Sequence, residues 1–187
     1  MNSQQLLSSD SLTLQVKQLE IGTWEELSAF VKQIPYGRNA NREDLSLVLK
    51  ENKGTCSSKH AFLKEIATQN NIPNVELIIG LYKMNEANTK IGTTLSENSI
   101  AYIPEAHCYL KVNGERLDVT SKEADFEKIK ADLLEEIVIE PFQVGQFKID
   151  YHQKFIQNWL SSTNSDCTFE KIWKIREQCI ENLSKSN

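Results

Sequence analysis

Three features of the sequence predict an α+β fold. Segments with helical spacing occupy both ends of the chain, an apolar β-rich run fills residues 75–82, and Asn113-Gly114 separates two alternating segments. Helices first, then a mostly antiparallel sheet, then helices again is the α+β order. The chain has 187 residues with no break in composition, so residues 1–187 read as one domain.

Residues 1–20 are polar and rich in Ser and Gln, with a weak alternation at Leu12, Leu14 and Val16. They read as a frayed end or an edge strand. Thr23-Trp24-Glu25-Glu26 is a capping box, and its helix should reach Ile34, where Pro35 stops it. Residues 36–40 read as loop. Asn41 is suited to cap a second helix carrying Leu45, Val48 and Leu49 on one side, with Gly54 ending it. A third helix should start near Cys56 and run to about Gln69, with Phe62, Leu63, Ile66 and Ala67 as its apolar stripe. Residues 70–74 form a turn, 75–82 a buried strand, and 83–99 a polar loop long enough to be functional. After the hairpin at 107–119, residues 122–134 look helical. Residues 137–139 and 147–149 read as short strands, and 151–160 and 168–183 as two amphipathic helices.

A two-residue turn at Asn113-Gly114 pairs Val112 with Glu115, Leu110 with Leu117, Tyr109 with Asp118 and Cys108 with Val119. Side chains alternate, so Cys108, Leu110, Val112, Leu117 and Val119 share an apolar core face. The opposite face holds His107, Tyr109, Lys111, Arg116, Asp118 and Thr120. His107 and Asp118 are then diagonal neighbours, about 7–8 Å apart at the backbone, within reach of an imidazole–carboxylate contact. Such a carboxylate fixes one His tautomer and leaves the other ring nitrogen free to act as a base. On this feature alone an ordinary cross-strand His–Asp pair is the readier explanation of the pattern.

Cys56 falls in the first turn of the third helix. Unpaired N–H groups and the positive helix end favour thiolate there, and Lys53 and Lys59 add positive charge. Thiolate is the nucleophilic form, and the Cys56 backbone N–H is placed to stabilise an oxyanion. Taken alone, a small buried cysteine at a helix start is the competing explanation. Cys108, Cys167 and Cys179 are assigned to packing, and all four cysteines read as reduced thiols because no C-x-x-C pair occurs.

The remaining features narrow the partners. Lys plus Arg total 21 against 26 Asp plus Glu, a net charge of -5 without a basic stripe, which argues against nucleic acid. No apolar run is long enough to span a membrane, and the N-terminus lacks a secretory pattern, so the cytoplasm is the expected location. A zinc set of Cys56, His60, His107 and Cys108 is disfavoured, because His107 and Cys108 are adjacent on a strand and point to opposite faces. No calcium loop or glycine-rich phosphate loop occurs; neither metal nor cofactor is expected. His60 is an alternative base without an obvious carboxylate partner, His152 is expected to be structural, and Glu105 is expected to be a solvated loop carboxylate.

A cysteine at a helix start, then a strand, then a His–Asp hairpin resembles the transglutaminase-like superfamily of papain-like cysteine enzymes. The likeness covers about residues 31–120. Val31-Lys32-Gln33-Ile34-Pro35-Tyr36 is similar to the helix end before the catalytic region, and Gly54-Thr55-Cys56 to the Gly-x-Cys nucleophile motif. Asn70-Asn71-Ile72-Pro73 and the strand after it are similar to the Gly-Ile-Pro segment. His107 to Val112, with Leu117-Asp118-Val119-Thr120, is similar to the His-strand and strand-Asp-Pro-Thr segments. Asn71 stands where the family usually has Gly, and Val119 where it has Pro.

The resemblance implies a helix bearing the nucleophilic cysteine packed on an antiparallel sheet bearing the histidine and aspartate. It implies a triad with Cys56 as nucleophile, His107 as base then acid, and Asp118 as orienter. The expected activity is acyl transfer from amide bonds of peptides or proteins, with hydrolysis the simplest outcome. Crosslinking through a second amine, and a non-catalytic peptide- or protein-binding domain, are the alternatives. Residues 121–187 are an extension expected to cap the sheet or shape the cleft.

Overall fold

The structure, a computed structural model, describes residues 3–163 and 167–185. Met1 and Asn2 of the polar N-terminal stretch lie outside the described residues. The fold is α+β, with one antiparallel four-stranded sheet and helices on both of its faces. The strands are β1 (Val75–Met84), β2 (Ile103–Val112), β3 (Glu115–Leu117) and β4 (Leu133–Ile139), in the order β3-β2-β1-β4. The helices are α1 (Ser11–Lys17), α2 (Trp24–Gln33), α3 (Leu47–Lys50), α4 (Cys56–Gln69), α5 (Thr94–Glu97), α6 (Glu127–Lys130), α7 (Gln146–Ser162) and α8 (Phe169–Lys185). A 3-10 turn over Pro141–Val144 leads into α7.

Alternation along the long strands explains why both faces are covered. Leu77, Ile79 and Leu81 of β1 and Ala106, Cys108 and Leu110 of β2 point to one side. There they meet Phe62, Leu63 and Ile66 of α4 and Leu27 and Val31 of α2. Ile78, Tyr82 and Met84, with Ile103 and Tyr109, point to the other side. These are covered by Phe126, by Ile156 of α7, and by Ile172, Ile175 and Ile180 of α8. The middle strand β1 therefore reads as a nearly continuous apolar run, as a strand buried on both faces must. Both buried faces are large enough to dominate the stabilisation, at roughly 25 cal/mol per Å² of apolar surface removed from water.

The capping signals place α2 and α4. Thr23 and Glu26 form the reciprocal box at α2, and Thr55 and Ser58 form one at α4. The Trp24 indole N–H donates to the Leu63 carbonyl at 3.1 Å, fastening the two helices together. Asn113 and Gly114 both have positive φ, 52° and 86°, as a tight hairpin turn requires. Val112 pairs with Glu115 and Leu110 with Leu117, in the predicted register.

Four expectations are corrected. Residues 11–17 are helical rather than an edge strand: Asp10 caps the backbone N–H groups of Leu12 and Thr13, and Thr13 and Val16 face inward. The helix expected after Asn41 shrinks to Leu47–Lys50, because the Asn41 side chain instead accepts the Glu43 N–H in a local turn. The helix expected at 122–134 is confined to Glu127–Lys130, and β4 starts at Leu133 rather than at 137. Its apolar pattern is interrupted by Glu135 and Glu136, whose carboxylates bond Tyr151 and the Tyr109–Lys111–Arg116 group. Residues 147–149 belong to α7, not a strand: Lys148, His152, Ile156 and Leu160 form one buried stripe at four-residue spacing.

Among the described residues, no helix is long and apolar enough to cross a membrane.

Candidate active site

The site forms where β3 leaves β2. The hairpin is predicted to pair Tyr109 with Asp118 and Cys108 with Val119, but its ladder ends at Leu110–Leu117. Beyond Leu117 side chains claim the backbone donors. The Thr120 N–H bonds to Asp118 Oδ1 at 2.9 Å, and the Val119 N–H to His60 Nε2 at 2.8 Å. Lys59, fully buried, donates to the carbonyls of Ile34 and Thr120. Two successive residues of α4 thus anchor the segment that carries Asp118 beside the start of that helix.

Asp118 Oδ2 lies 2.7 Å from His107 Nε2, which leaves Nδ1 for a second partner. Cys56, the first residue of α4, is half-buried and lines the same cleft as His107, whose ring lowers the pKa of its thiol. The structure therefore brings Cys56, His107 and Asp118 together in one cleft. Rings of Tyr82 and Tyr109 flank the imidazole at 6.2 and 5.9 Å. Below it Gly80, the partner of His107 across β1 and β2, gives Tyr109 its room: a Cβ there would come within 2.6 Å of the Tyr109 ring.

The electrostatics favour a thiolate–imidazolium pair. The Cys108 thiol, directed at the Cys56 sulfur, and the Lys148 ammonium and His107 imidazole hold Cys56 well below the ordinary thiol range, against burial. Cys108 itself is pushed well above that range by burial and by the same sulfur–sulfur contact, so it remains a protonated donor. Burial alone would lower His107, but the Asp118 carboxylate outweighs it and raises the imidazole to about 10. Asp118 in turn is depressed despite burial, chiefly by His107.

Three expectations about neighbouring groups change. The sequence assigns the positive charge near the sulfur to Lys53 and Lys59. Lys53 instead sits 3.7 Å from Glu51, and Lys59 is committed to carbonyls. The ammonium nearest in function is Lys148 of α7, 3.7 Å from Cys56 Sγ and 2.7 Å from Ser57 Oγ. His60 does have a carboxylate nearby, 3.6 Å to Asp118. It is nevertheless unavailable as a base: Nδ1 meets the Cys56 carbonyl at 2.7 Å while Nε2 accepts from Val119. Glu105 is not a solvated loop residue but a buried strand residue gripped in a fork by Arg176 of α8. His152 is buried on α7 against the Pro104 carbonyl.

The cleft has two lobes meeting at Cys56, Tyr36, Glu105 and Ile180. One holds His107, Asp118, Tyr82 and Ile129; Thr120, whose buried Oγ1 has no partner among the described residues, also lines it. The other is walled by α7 and α8 through Lys148, His152 and Arg176. The C-terminal extension thus shapes the cleft as well as covering the sheet.

Neither Lys148 nor Arg176 was singled out from sequence. The available signal was position: each lies on the buried side of an amphipathic helix, where a charged residue needs a partner.

Comparison with protein-family models, curated proteins and solved structures finds no match to this chain.

Among the described residues, no group of three or more His, Cys, Asp or Glu side chains is arranged to hold a metal ion. The zinc quartet weighed from sequence is dismantled by His60, whose two ring nitrogens are both occupied.

Proposed function

We propose that this protein is a cysteine-dependent acyl-transfer enzyme of the transglutaminase-like kind, hydrolysing amide bonds of peptides or proteins. One observation carries this reading. The sulfur at the start of α4 shares one cleft with an imidazole whose Nε2 is held 2.7 Å from a buried carboxylate, and that imidazole lowers the pKa of the thiol. A packing cysteine has no use for a charged partner set, and the three groups occupy the roles of nucleophile, acid–base and orienter.

The chemistry follows from the charges. A lone pair on the Cys56 sulfur forms a bond to the amide carbon, and the carbonyl π pair moves onto oxygen. When that pair returns, the carbon–nitrogen bond breaks and the amine leaves with the proton of His107 Nδ1. His107, now neutral, takes a proton from water as the water oxygen attacks the thioester. Collapse expels the sulfur as thiolate and releases the carboxylic acid, restoring the starting ion pair. Asp118 keeps the imidazole oriented through both proton transfers.

The test is labelling by a peptide-amide activity probe and profiling against a peptide library, with Cys56→Ala as the control. Cys56→Ala is expected to fold normally and to lose both label and turnover. A product heavier by an added amine in place of water identifies crosslinking instead of hydrolysis. Label that survives in Cys56→Ala rejects the reading.

A further inference from the structure

Lys148 is a buried cation with an unusual set of neighbours. It is 7 % exposed, yet among the described residues no carboxylate lies within ion-pair distance of it. Glu105, on the facing strand, is engaged by Arg176. The ammonium is instead fixed 2.7 Å from Ser57 Oγ and 3.7 Å from Cys56 Sγ. Glu105, already paired with Arg176, acts on the ammonium only at longer range, and a buried charge short of a counter-charge at contact distance costs several kcal/mol, so the cation needs an anion at this point. The Cys56 thiolate is the group placed to supply it.

The reaction removes that anion. Once the sulfur bonds to carbon it is neutral, and the negative charge appears on the carbonyl oxygen, which is two bonds from the sulfur. We infer that Lys148 Nζ is a catalytic residue that first holds Cys56 as thiolate and then, with the Cys56 backbone N–H, stabilises the oxyanion of the tetrahedral intermediate. This rests on the proposed acyl-transfer reading and extends it. The ammonium keeps a counter-charge at both stages, because the electron pair it faces moves from sulfur to oxygen without leaving the neighbourhood. Burial pushes the ammonium towards neutrality, but the facing thiols and Glu105 raise it on balance, so it remains charged. Ser57 is the positioning residue, its hydroxyl directing Nζ at the reacting atoms.

The groups that face the sulfur are divided among several elements. His107, Cys108 and Glu105 come from β2, Lys148 from α7 and Asp118 from the end of the hairpin. Tyr36 approaches from the loop after α2, and Lys59 and His60 lie on the same helix. Of these, Lys148 and His107 are the cations that lower the thiol most, and Lys59, whose charge also acts on the sulfur, lowers it less.

Two measurements on the full chain test the assignment without knowledge of the natural substrate. Iodoacetamide alkylation of Cys56 is followed from pH 5 to 10, and the nitrophenolate burst with p-nitrophenyl acetate reports acylation. In Lys148→Met the acid limb of the alkylation profile should move to higher pH, so that at any pH below the wild-type limb the rate falls about tenfold for each tenfold weakening of the thiol as an acid. The burst at pH 9.5, where thiolate predominates in both proteins, should slow by about 10²- to 10³-fold. Lys148→Arg should move that limb most of the way back. Ser57→Ala, which leaves the core intact, should move both measurements in the same direction but less. Unchanged alkylation and burst in a folded Lys148→Met protein overturn the inference, and a normal burst per thiolate overturns its oxyanion half. Wild-type Cys56 reacting only above about pH 8.5 defeats the acyl-transfer reading itself, which separates the two failures.

Discussion

Asp118 holds His107 through one oxygen and its own backbone through the other: Oδ2 lies 2.7 Å from Nε2, and Oδ1 accepts the Thr120 N–H at 2.9 Å. A carboxylate locked at both oxygens cannot rotate away, so the imidazole keeps Nδ1 for the sulfur.

Asp118→Asn should keep this shape and lose the charge. The His107 pKa, now about 10, should fall well below that level, because only the Cys56 sulfur would then oppose burial. Turnover of a peptide amide should fall by about 10³- to 10⁴-fold, as expected when a triad loses its orienting carboxylate. NMR titration of the His107 ring and steady-state kinetics check the two effects together. A histidine still protonated at pH 9 in the variant contradicts the role given to Asp118.

The pH dependence of kcat/KM follows from the same pair. Cys56 is lowered well below its ordinary range and His107 is raised to about 10, so the reactive ion pair persists between those limits. Activity on a peptide amide should therefore be near its plateau at pH 7 and decline near pH 10 as the imidazolium is lost. The stability contributions have opposite signs. His107 stabilises the fold below its unfolded pKa and loses that contribution as pH rises to about 10, whereas Cys56 gains towards its unfolded value near 8.5. Between about pH 6.5 and 8.5 the two slopes oppose each other, so denaturation midpoints should change little while Cys56→Ala exposes the His107 slope. An acid limb in the ordinary thiol range would contradict the ion pair.

Much of this arrangement was legible in the sequence, for identifiable reasons. The Gly54 break and the apolar stripe place Cys56 in the first turn of α4, and Asn113-Gly114 fixes the register that puts His107 and Asp118 on one side. Both are local signals, readable within a few residues. The end of the hairpin ladder at Leu117 was not legible, because it depends on His60 and Asp118 competing for backbone N–H groups. Lys148 and Arg176 were hidden for a related reason: their partners, Cys56 and Glu105, are remote in sequence and meet them only after α7 and α8 pack. β4 was obscured because its Glu135 and Glu136 look like helix-surface residues until Tyr109, Arg116 and Tyr151 are brought to them.

The Glu105–Arg176 fork ties α8 to β2 behind the nucleophile, with both side chains largely buried. Removing one partner leaves the other as an uncompensated charge, at a cost of about 3–5 kcal/mol. Arg176→Met should lower Tm by on the order of 10 °C, given about 2–4 °C per kcal/mol for a chain of this size. Adding Glu105→Gln should recover a substantial part, since the stranded carboxylate is then gone. Differential scanning calorimetry of the two single variants and the double measures the coupling. Additive losses would show that the fork contributes nothing as a pair.

His60 makes the fold sensitive to mild acid. Burial outweighs the nearby Asp118 charge and lowers its pKa to about 4, and the Nε2 lone pair that accepts from Val119 exists only in the neutral ring. The unfolded chain binds a proton at this residue near pH 6.5 while the folded chain does not until about 4. Between those values the unfolded state holds more protons, so stability falls as pH falls, by on the order of 3 kcal/mol in all. His107 adds no slope there, because it is protonated in the folded state throughout and titrates only in the unfolded chain near the upper limit. Urea denaturation at pH 7 and pH 5 should show a lower midpoint at pH 5 with an unchanged m-value. In His60→Gln, which keeps an acceptor but cannot titrate, the pH difference should shrink by the His60 share, leaving the slope that Cys56 and His152 carry with the same sign in this window. A pH 7 to pH 5 loss that persists in full in His60→Gln removes His60 from the explanation and leaves the acid sensitivity with other groups, Cys56 and His152 among them.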